Sequence, residues 1–293
     1  MVKVPVTNSP MVAWIRVIRP LNLSIIAIAI IILRFSSDYN LQPINWAYEA
    51  LFTLPLVLLA AGGNILNDYF DIKEDRINKP ERALVGRVLK RRIALASHWA
   101  LTAIGIILAA VLSLKIENST PVVIAFLISI VLFFYSAKLK GRVLIGNFAV
   151  AASLSSVIPF AYADEIDTSF SFTSNLLMFL WEFGILMSVT FLIAFTRELT
   201  KDIEDIKGDE KAGHLTFPIV YSINASWRVI SVLVLAIIGI TVWIHSGREL
   251  DVSLSIFSVI TIIITYFTWQ RKATQLSAWL KLLLAAGLLL CYF

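Results

Sequence analysis

Two acidic segments of the chain carry carboxylates at spacings that suit metal chemistry. The first acidic box spans residues 67–75 and the second spans residues 201–209, and both contain Asp-Ile-Lys-x-Asp when Asp71 is aligned with Asp205. The oxygen-bearing side chains concerned are Asn67, Asp71 and Asp75 in the first box and Asp202, Asp205 and Asp209 in the second. Positions three and four residues apart share one face of a helix, so we expect each set to project together.

Carboxylates crowded in this way repel one another unless a cation lies between them. Magnesium prefers oxygen ligands and is usually held by one or two carboxylates together with substrate phosphates. The two boxes therefore predict Mg²⁺ ions that bridge to a diphosphate. Neither box has the ligand spacing of an EF-hand, and the sequence contains no Walker A loop. A zinc cluster is not expected either, because His98, His214 and His245 are scattered along the chain.

Basic residues flank the boxes, where an anionic ligand would need them. The set comprises Arg19, Arg76, Lys79, Arg82, Lys138, Lys140, Arg197 and Lys201. Arginine suits bidentate contact with phosphate oxygens, and lysine acts as a point charge. These positions are therefore predicted to face a phosphorylated ligand.

The composition of the chain indicates a membrane protein. Of the 293 residues, 58% are hydrophobic and 15% are charged, against about a quarter charged in an average soluble domain. The single Cys291 excludes a disulfide scaffold. Apolar stretches of about 17–25 residues, enough to cross the hydrocarbon core as helices, lie at 12–34, 46–66, 93–114, 120–137, 144–162, 174–196, 227–245, 252–270 and 275–293. The sequence thus predicts an all-α, polytopic membrane protein with nine transmembrane helices.

The distribution of Lys and Arg orients these spans. Of 25 such residues, 21 lie on the side of the N-terminus, eight of them between residues 67 and 92. By the positive-inside rule, the N-terminus and both boxes face the cytoplasm and the C-terminus lies outside. Because the basic residues lie beside spans, the net charge of +5 indicates anionic headgroups or substrates rather than nucleic acid. We expect a single domain over residues 1–293 that lies in the cell membrane. The two boxes indicate an internal repeat of about four helices within it.

The boxes resemble the signatures of the UbiA superfamily of intramembrane prenyltransferases. The first signature is matched by Asn67-Asp68-x-x-Asp71-x-x-x-Asp75 and its continuation Arg76-Ile77-Asn78-Lys79-Pro80-Glu81-Arg82, and the second by Asp205-x-x-x-Asp209 with Gly213 and Thr216. Similar segments elsewhere are Arg19-Pro20-Leu21-Asn22, Tyr135-Ser136, Leu139-Lys140 and Gly146-Asn147. One departure is the loop Arg82-Ala83-Leu84-Val85-Gly86, where the family often has a second proline.

The resemblance implies nine helices around a central cavity and Mg²⁺-dependent transfer of a prenyl chain from an isoprenyl diphosphate to a lipophilic acceptor. It implies that Asp71, Asp75, Asp205 and Asp209 are catalytic, and that Asn67, Asp71, Asp75, Asp202, Asp205 and Asp209 bind the metal. The implied diphosphate-binding residues are Arg19, Asn22, Asn78, Arg82, Tyr135, Lys138, Lys140, Arg197 and Lys201. An aromatic pocket, with Phe191 and Phe195 among its candidates, would stabilise the prenyl cation.

The second box favours one branch of the superfamily. The stretch Arg197-Glu198-x-x-Lys201-Asp202-Ile203-Glu204-Asp205-x-x-Gly208-Asp209 is similar to archaeal-type enzymes that attach a geranylgeranyl group to geranylgeranylglyceryl phosphate as an ether. The donor implied is geranylgeranyl diphosphate. Within the superfamily the alternative is an aromatic acceptor of quinone biosynthesis, such as a naphthoate or hydroxybenzoate. Outside it, the alternative is an ion-coupled transporter, although transporter sites lie near the membrane midplane. Roles for Glu182 and Lys281, which lie inside spans, stay open.

Overall fold

Helices account for the regular structure in the described part of the chain. A computed structural model describes residues 9–35, 45–78, 80, 83–166, 172–247 and 252–287. Its helices are α1 (Pro10–Ile18), α2 (Pro20–Phe35), α3 (Trp46–Phe70), α4 (Ile72–Asn78), α5 (Arg91–Lys115), α6 (Thr120–Phe134), α7 (Ile145–Ser155), α8 (Val157–Ala161), α9 (Phe172–Glu204), α10 (Ile206–Ala212), α11 (Phe217–Val220), α12 (Ile223–Gly247), α13 (Val252–Trp269) and α14 (Ala273–Gly287). A π-helical turn, Tyr135–Leu139, follows α6. The all-α prediction is confirmed.

The helices agree with the apolar segments in the sequence. Within the described ranges, each of the nine predicted segments falls on a helix or on consecutive helices. Five of the described helices are long and apolar enough to cross a membrane, and a sixth span results if α1 and α2, bent by 43° to each other, are counted together. By this test of length and composition, the described residues contain five or six candidate spans.

Contacts divide the chain into two compact units, each with its own core. Unit 1 is formed from Met1–Ile28, Asn45–Gly141 and Lys207–His214, and unit 2 from Ala29–Ile44, Arg142–Ile206 and Leu215–Phe293. In unit 1, α3 packs along α5, and α1 buries Ala13 and Val17 against Ile65 of α3. In unit 2, α9 packs against α7, α12 and α14 around a core that includes Leu199, Ile230 and Leu280.

The junction between α1 and α2 is set by local backbone chemistry. Arg19 has a left-handed conformation (φ 57°), and its N–H donates to the Arg16 carbonyl, which ends α1. Pro20 then begins α2, where its fixed φ suits the first helical turn. The side chain of Asn64 on α3 donates to the Ile18 carbonyl at 2.9 Å. The guanidinium of Arg19 is held beside the C-terminal end of α3, where it contacts Asp68 of the first acidic box.

Gly105 allows the close approach of α3 and α5. A Cβ at this position would lie 3.0 Å from the Pro55 carbonyl oxygen and 3.2 Å from Leu59 Cγ, whereas a Cβ at Gly239 on α12 would have no heavy atom within 4 Å. We expect Gly105→Ala to destabilise the protein by about 1–3 kcal/mol through overpacking. Gly239→Ala is the matched control, since Ala in an open helical position gains about 0.5–1 kcal/mol over Gly. Thermal unfolding in detergent compares the two, and an unchanged melting temperature for Gly105→Ala would contradict the packing described.

Candidate active site

The first acidic box lies on two consecutive helices that keep one hydrogen-bond ladder. Helix α3 ends at Phe70, Asp71 forms the joint with φ −81° and ψ 13°, and α4 begins at Ile72. The Asp71 N–H donates to the Asn67 carbonyl at 2.8 Å, and the Asp75 N–H donates to the Asp71 carbonyl at 2.8 Å. Because these i to i+4 bonds continue through the joint, the predicted helical extension that carries Asn67, Asp71 and Asp75 is confirmed.

The second acidic box has the same local structure. Helix α9 ends at Glu204, the Asp205 N–H donates to the Lys201 carbonyl at 2.9 Å, and α10 begins at Ile206. Helices α4 and α10 both have seven residues. Asp71 and Asp205 thus occupy equivalent joints between a long helix and a short one, which agrees with the alignment of the two boxes in the sequence.

Two cations pair with carboxylates of the first box in unit 1. Lys140 Nζ contacts the carboxylate of Asp71, and the guanidinium of Arg19 contacts that of Asp68. Both aspartates are buried, with Asp71 5% and Asp68 7% exposed. The π-helical turn positions Lys140, because its N–H donates to the Tyr135 carbonyl five residues earlier, at 3.0 Å. Such turns often occur at functional sites.

The charge on Lys140 is stabilised by carboxylates from both boxes. Burial disfavours the charged form, but the Asp71 carboxylate, which accepts a hydrogen bond from Nζ, acts against it. Asp209 and Asp75 add further attraction, so the pKa of Lys140 is raised. Lys140 is therefore a cation on which the two acidic boxes act together within unit 1.

Asp75 shows the crowding of negative charge most directly. Burial raises the pKa of Asp75 to about 7, and repulsion from Asp71 and Asp68 contributes to the rise. Lys140 and Arg19 oppose it without cancelling it. A carboxyl group in this state gains from a divalent cation, which would favour its charged form.

His214 lies between the helices of the two boxes. Its Nε2 is 3.5 Å from Glu74 Oε1 on α4, and its Nδ1 is 3.5 Å from Asp209 Oδ1 on α10. These are ion-pair distances rather than those of short hydrogen bonds. The Asp209 carboxylate beside the ring raises the pKa of His214, Glu74 adds to the effect, and burial opposes it.

Further polar side chains lie together on α9 and α7 in unit 2. Arg197 Nη1 donates to Glu198 Oε1 at 2.9 Å, and Lys201 Nζ donates to Glu198 Oε2 at 2.7 Å. Asn147 Nδ2 donates to Asp202 Oδ2 at 2.8 Å. The predicted substrate-binding residues Arg197 and Lys201 thus share one buried carboxylate, and the predicted metal ligand Asp202 accepts a hydrogen bond from Asn147.

The remaining predicted site residues fall into three groups. Asn22, Tyr135 and Asp205 are half-buried, and Lys138 is exposed. Asn78 ends α4, and its side chain lies outside the described residues, as does the whole of Arg82. The side chain of Glu182 is likewise outside them, while Lys281 on α14 is half-buried. The diphosphate-binding roles expected for Asn22, Asn78, Arg82, Tyr135 and Lys138 stay predictions, as does the metal-binding role expected for Asp205.

Sequence reasoning missed four residues of these clusters, namely Asp68, Glu74, Glu198 and His214. Asp68 and Glu74 lie inside the first box but off the spacing used to define it. Glu198 could have been found, because it is one and three residues from the two cations that it binds. The sequence offered His214 only as one of three scattered histidines, and its partner Glu74 is too distant in sequence for any spacing to predict the contact.

The donor set of the first box fits a magnesium ion. The atoms predicted to bind the metal are carboxylate and amide oxygens, and the Asn67 Oδ1 atom is buried without a hydrogen-bond partner. Among the described residues, no three Asp, Glu, His or Cys side chains form a ready-made cation cluster. Magnesium commonly completes its coordination with substrate phosphates and water. An oxygen without a partner and a carboxyl group with a raised pKa are features that such an ion would satisfy.

Unit 2 contains an apolar cavity of about 720 Å³ between α7, α9 and α12. Its lining includes Ser155, Gly184, Phe191, Ile240 and Trp243. Phe191 also stacks on Phe195, with ring centroids 5.9 Å apart. The volume lies within the range of small-molecule pockets, and the apolar lining suits a hydrocarbon chain.

Part of the chain is similar to an archaeal enzyme. The chain is 41% identical over 170 residues to digeranylgeranylglyceryl phosphate synthase of Thermococcus gammatolerans. This match covers 58% of the present chain and 55% of the relative, so the chain spans about half the length of that protein.

Comparison with solved structures extends over nearly the whole chain. A structure of digeranylgeranylglyceryl phosphate synthase matches with a TM-score of 0.67 and 25% identity, covering 97% of this chain and 99% of that one. A UbiA homologue from Archaeoglobus fulgidus bound to DMAPP and Mg²⁺ matches with a TM-score of 0.65 and 15% identity, covering 95% and 98%. The UbiA prenyltransferase family itself matches residues 12–291. This chain therefore belongs to the UbiA prenyltransferase family and is an enzyme of prenyl transfer.

Proposed function

We propose that this protein transfers a geranylgeranyl group from geranylgeranyl diphosphate to geranylgeranylglyceryl phosphate, with Mg²⁺ as cofactor, to form an ether lipid. The observation that carries the proposal is the cluster in unit 1 where Asp209 and Glu74 flank His214, next to the pair of Lys140 and Asp71. It joins residues of both acidic boxes with cations suited to a diphosphate.

The chain's own groups would act on the leaving diphosphate. When the allylic C–O bond breaks, its electron pair stays with the diphosphate, and preorganised positive charge stabilises that charge. Lys140 and Arg19 pair with carboxylates of the first box, and each could exchange a carboxylate contact for a phosphate oxygen. Magnesium held by Asn67, Asp71, Asp75, Asp202, Asp205 and Asp209 would supply Lewis-acid stabilisation of the same oxygens.

The prenyl chain needs an apolar site that excludes water. The cavity of unit 2 supplies the apolar lining for such a site, and Phe191 in that lining could face the developing allylic cation, which aromatic rings stabilise. The acceptor hydroxyl oxygen would then form the ether bond to the prenyl carbon and give its proton to the released diphosphate. A half-buried Arg197 and Lys201, which share Glu198, are the candidates in unit 2 for contact with an anionic substrate.

The acceptor is supported by the relatives and tested by product analysis. Both the Thermococcus protein and one matching structure carry the name digeranylgeranylglyceryl phosphate synthase. Purified protein incubated with labelled geranylgeranyl diphosphate and separate acceptors should yield a labelled ether only with geranylgeranylglyceryl phosphate. Prenylation of a naphthoate or hydroxybenzoate instead would overturn the proposed acceptor and leave the enzyme class intact.

The proposed topology comprises nine transmembrane helices around a central cavity, with the N-terminus and the active site on the cytoplasmic side of the cell membrane. The excess of Lys and Arg on one side of the apolar segments supports it. The number of spans exceeds the five or six that length and composition alone identify among the described helices, because tilted or broken helices such as α7 with α8 can also cross.

Labelling tests the topology. In a Cys291→Ser background, Lys79→Cys should react with a membrane-impermeant thiol reagent only after the cytoplasmic face is opened, since residue 79 follows the first box. Ile166→Cys, between the fifth and sixth apolar segments, should react in intact cells. The reverse pattern would contradict the N-in orientation.

Removal of one carboxylate from either box should abolish turnover. We expect Asp71→Asn and Asp205→Asn each to lower kcat by at least about 100-fold, the order of effect seen when a preorganised charge-stabilising group is lost. Glu210→Gln is the matched control, because Glu210 is an exposed acid on α10 beside Asp209. Radiolabelled prenyl transfer measures all three, and normal turnover in both Asn variants would exclude the boxes from the reaction.

The raised pKa of Asp75 predicts a pH-dependent need for magnesium. Below about pH 7 the carboxyl group is mostly neutral and above it is charged, so protons compete with Mg²⁺ as pH falls. The Mg²⁺ concentration for half-maximal binding in the presence of the donor should rise about tenfold between pH 8 and pH 6. Asp75→Asn should bind magnesium more weakly with a flatter pH profile. Identical pH profiles of Mg²⁺ binding for the wild-type protein and Asp75→Asn would show that protonation of Asp75 does not affect metal binding.

A further inference from the structure

His214 is tied to the second acidic box by its backbone as well as by its side chain. Gly213, with φ +79°, turns the chain at the end of α10, and the His214 N–H donates to the Asp209 carbonyl at 2.9 Å. The ring Nδ1 then lies 3.5 Å from the carboxylate of the same residue. The chain therefore folds back so that the imidazole stays beside Asp209.

The other edge of the ring faces the first acidic box. Nε2 lies 3.5 Å from Glu74 on α4, and Asp75, the next residue, belongs to the predicted metal ligands. The two nitrogens of an imidazole lie on different edges of the ring and can both donate when it is protonated. One side chain thus contacts an acid from each box, which a glutamine at this position could not do with the same rigidity.

A third element, the backbone beside Lys140, fixes the plane of the ring. A Cβ at Gly141 would lie 2.8 Å from His214 Cδ2 and 3.1 Å from Cγ, so the ring packs directly on the glycine backbone. Gly141 follows Lys140, which pairs with Asp71. The imidazole therefore contacts α4, α10 and the segment after the π-helical turn, all within unit 1.

We propose that His214 is a positioning residue that sets the distance between Asp209 and the first acidic box, so that both can serve one magnesium–diphosphate group. Without it, Glu74 and Asp209 would face each other as like charges and move apart. This inference rests on the proposed function. It assigns His214 no contact with the substrate, and it predicts effects on metal binding rather than on the acceptor.

The test compares His214→Gln and His214→Phe with His98→Gln. His98 is a matched control because it is a buried histidine whose Nδ1 pairs with the Gly62 carbonyl at 3.0 Å, in the packing of α3 against α5. Residues that orient metal ligands typically change metal affinity by about 10–100-fold when mutated. We expect both His214 variants to need at least about tenfold more Mg²⁺ for half-maximal activity, with the KM for the acceptor unchanged. His98→Gln should lower the melting temperature and leave the Mg²⁺ requirement within twofold.

A second readout does not depend on turnover. Mg²⁺ with geranylgeranyl diphosphate should raise the melting temperature of the wild-type protein, because a ligand that binds only the native state stabilises it. That rise should shrink in the His214 variants and persist in His98→Gln. In a Glu74→Gln background, His214→Gln should have a much smaller additional effect, since one of its two partners is already neutral.

The outcomes separate this inference from the proposed function. A wild-type protein that shows neither prenyl transfer nor stabilisation by Mg²⁺ and diphosphate would refute the proposed function, and the role of His214 with it. An active wild type with an unchanged Mg²⁺ requirement in both His214 variants would overturn only the positioning role. Equal loss of stability in the His214 and His98 variants, without any change in metal dependence, would show that His214 serves packing alone.

Discussion

An excess of acidic over basic side chains in one small volume is the constraint on which this structure depends. In unit 1, Asp68 pairs with Arg19, Asp71 pairs with Lys140, and Glu74 and Asp209 share His214. Asp75 is left with a pKa raised to about 7 by burial and by its acidic neighbours. Such crowding is unfavourable in the protein alone. In the proposed function, a bound divalent cation would be neutralised by these carboxylates, and the charged ends of Lys140 and Arg19 would be able to turn to the phosphate oxygens.

The way in which each box is built explains how the carboxylates stay together. Asp71 and Asp205 both lie where a long helix meets a seven-residue helix, and their N–H groups keep the i to i+4 bonds of the preceding helix. The side chains of a box therefore keep helical spacing through the joint. Two such joints between a long and a short helix in one chain agree with an internal repeat.

The sequence predicted the local part of this arrangement and little of the long-range part. Periodicity predicted the helical spacing within the boxes and the apolar segments, and the observed helices confirm both. The motifs predicted the family, which the match to the UbiA prenyltransferase family confirms. The pairing of Lys140 with Asp71 and of His214 with Glu74 joins residues far apart in the chain, and no spacing rule predicts such partners.

The count of nine spans rests on hydropathy, whereas bent and short helices such as α7 and α8 do not meet a length criterion singly. Arg197 and Lys201 both contact Glu198, a local pairing that the charge pattern could have revealed, and their predicted binding of diphosphate stays a prediction.

We propose that carboxylates of both boxes hold the same metal–diphosphate group. Crystals grown with Mn²⁺ and a non-hydrolysable geranylgeranyl thiodiphosphate would test it directly, because anomalous scattering locates manganese independently of the protein phases. We expect manganese within coordination distance of carboxylates from both residues 71–75 and residues 205–209, with the thiodiphosphate bound to the same ions. Manganese at one box alone, or thiodiphosphate bound away from both, would contradict it.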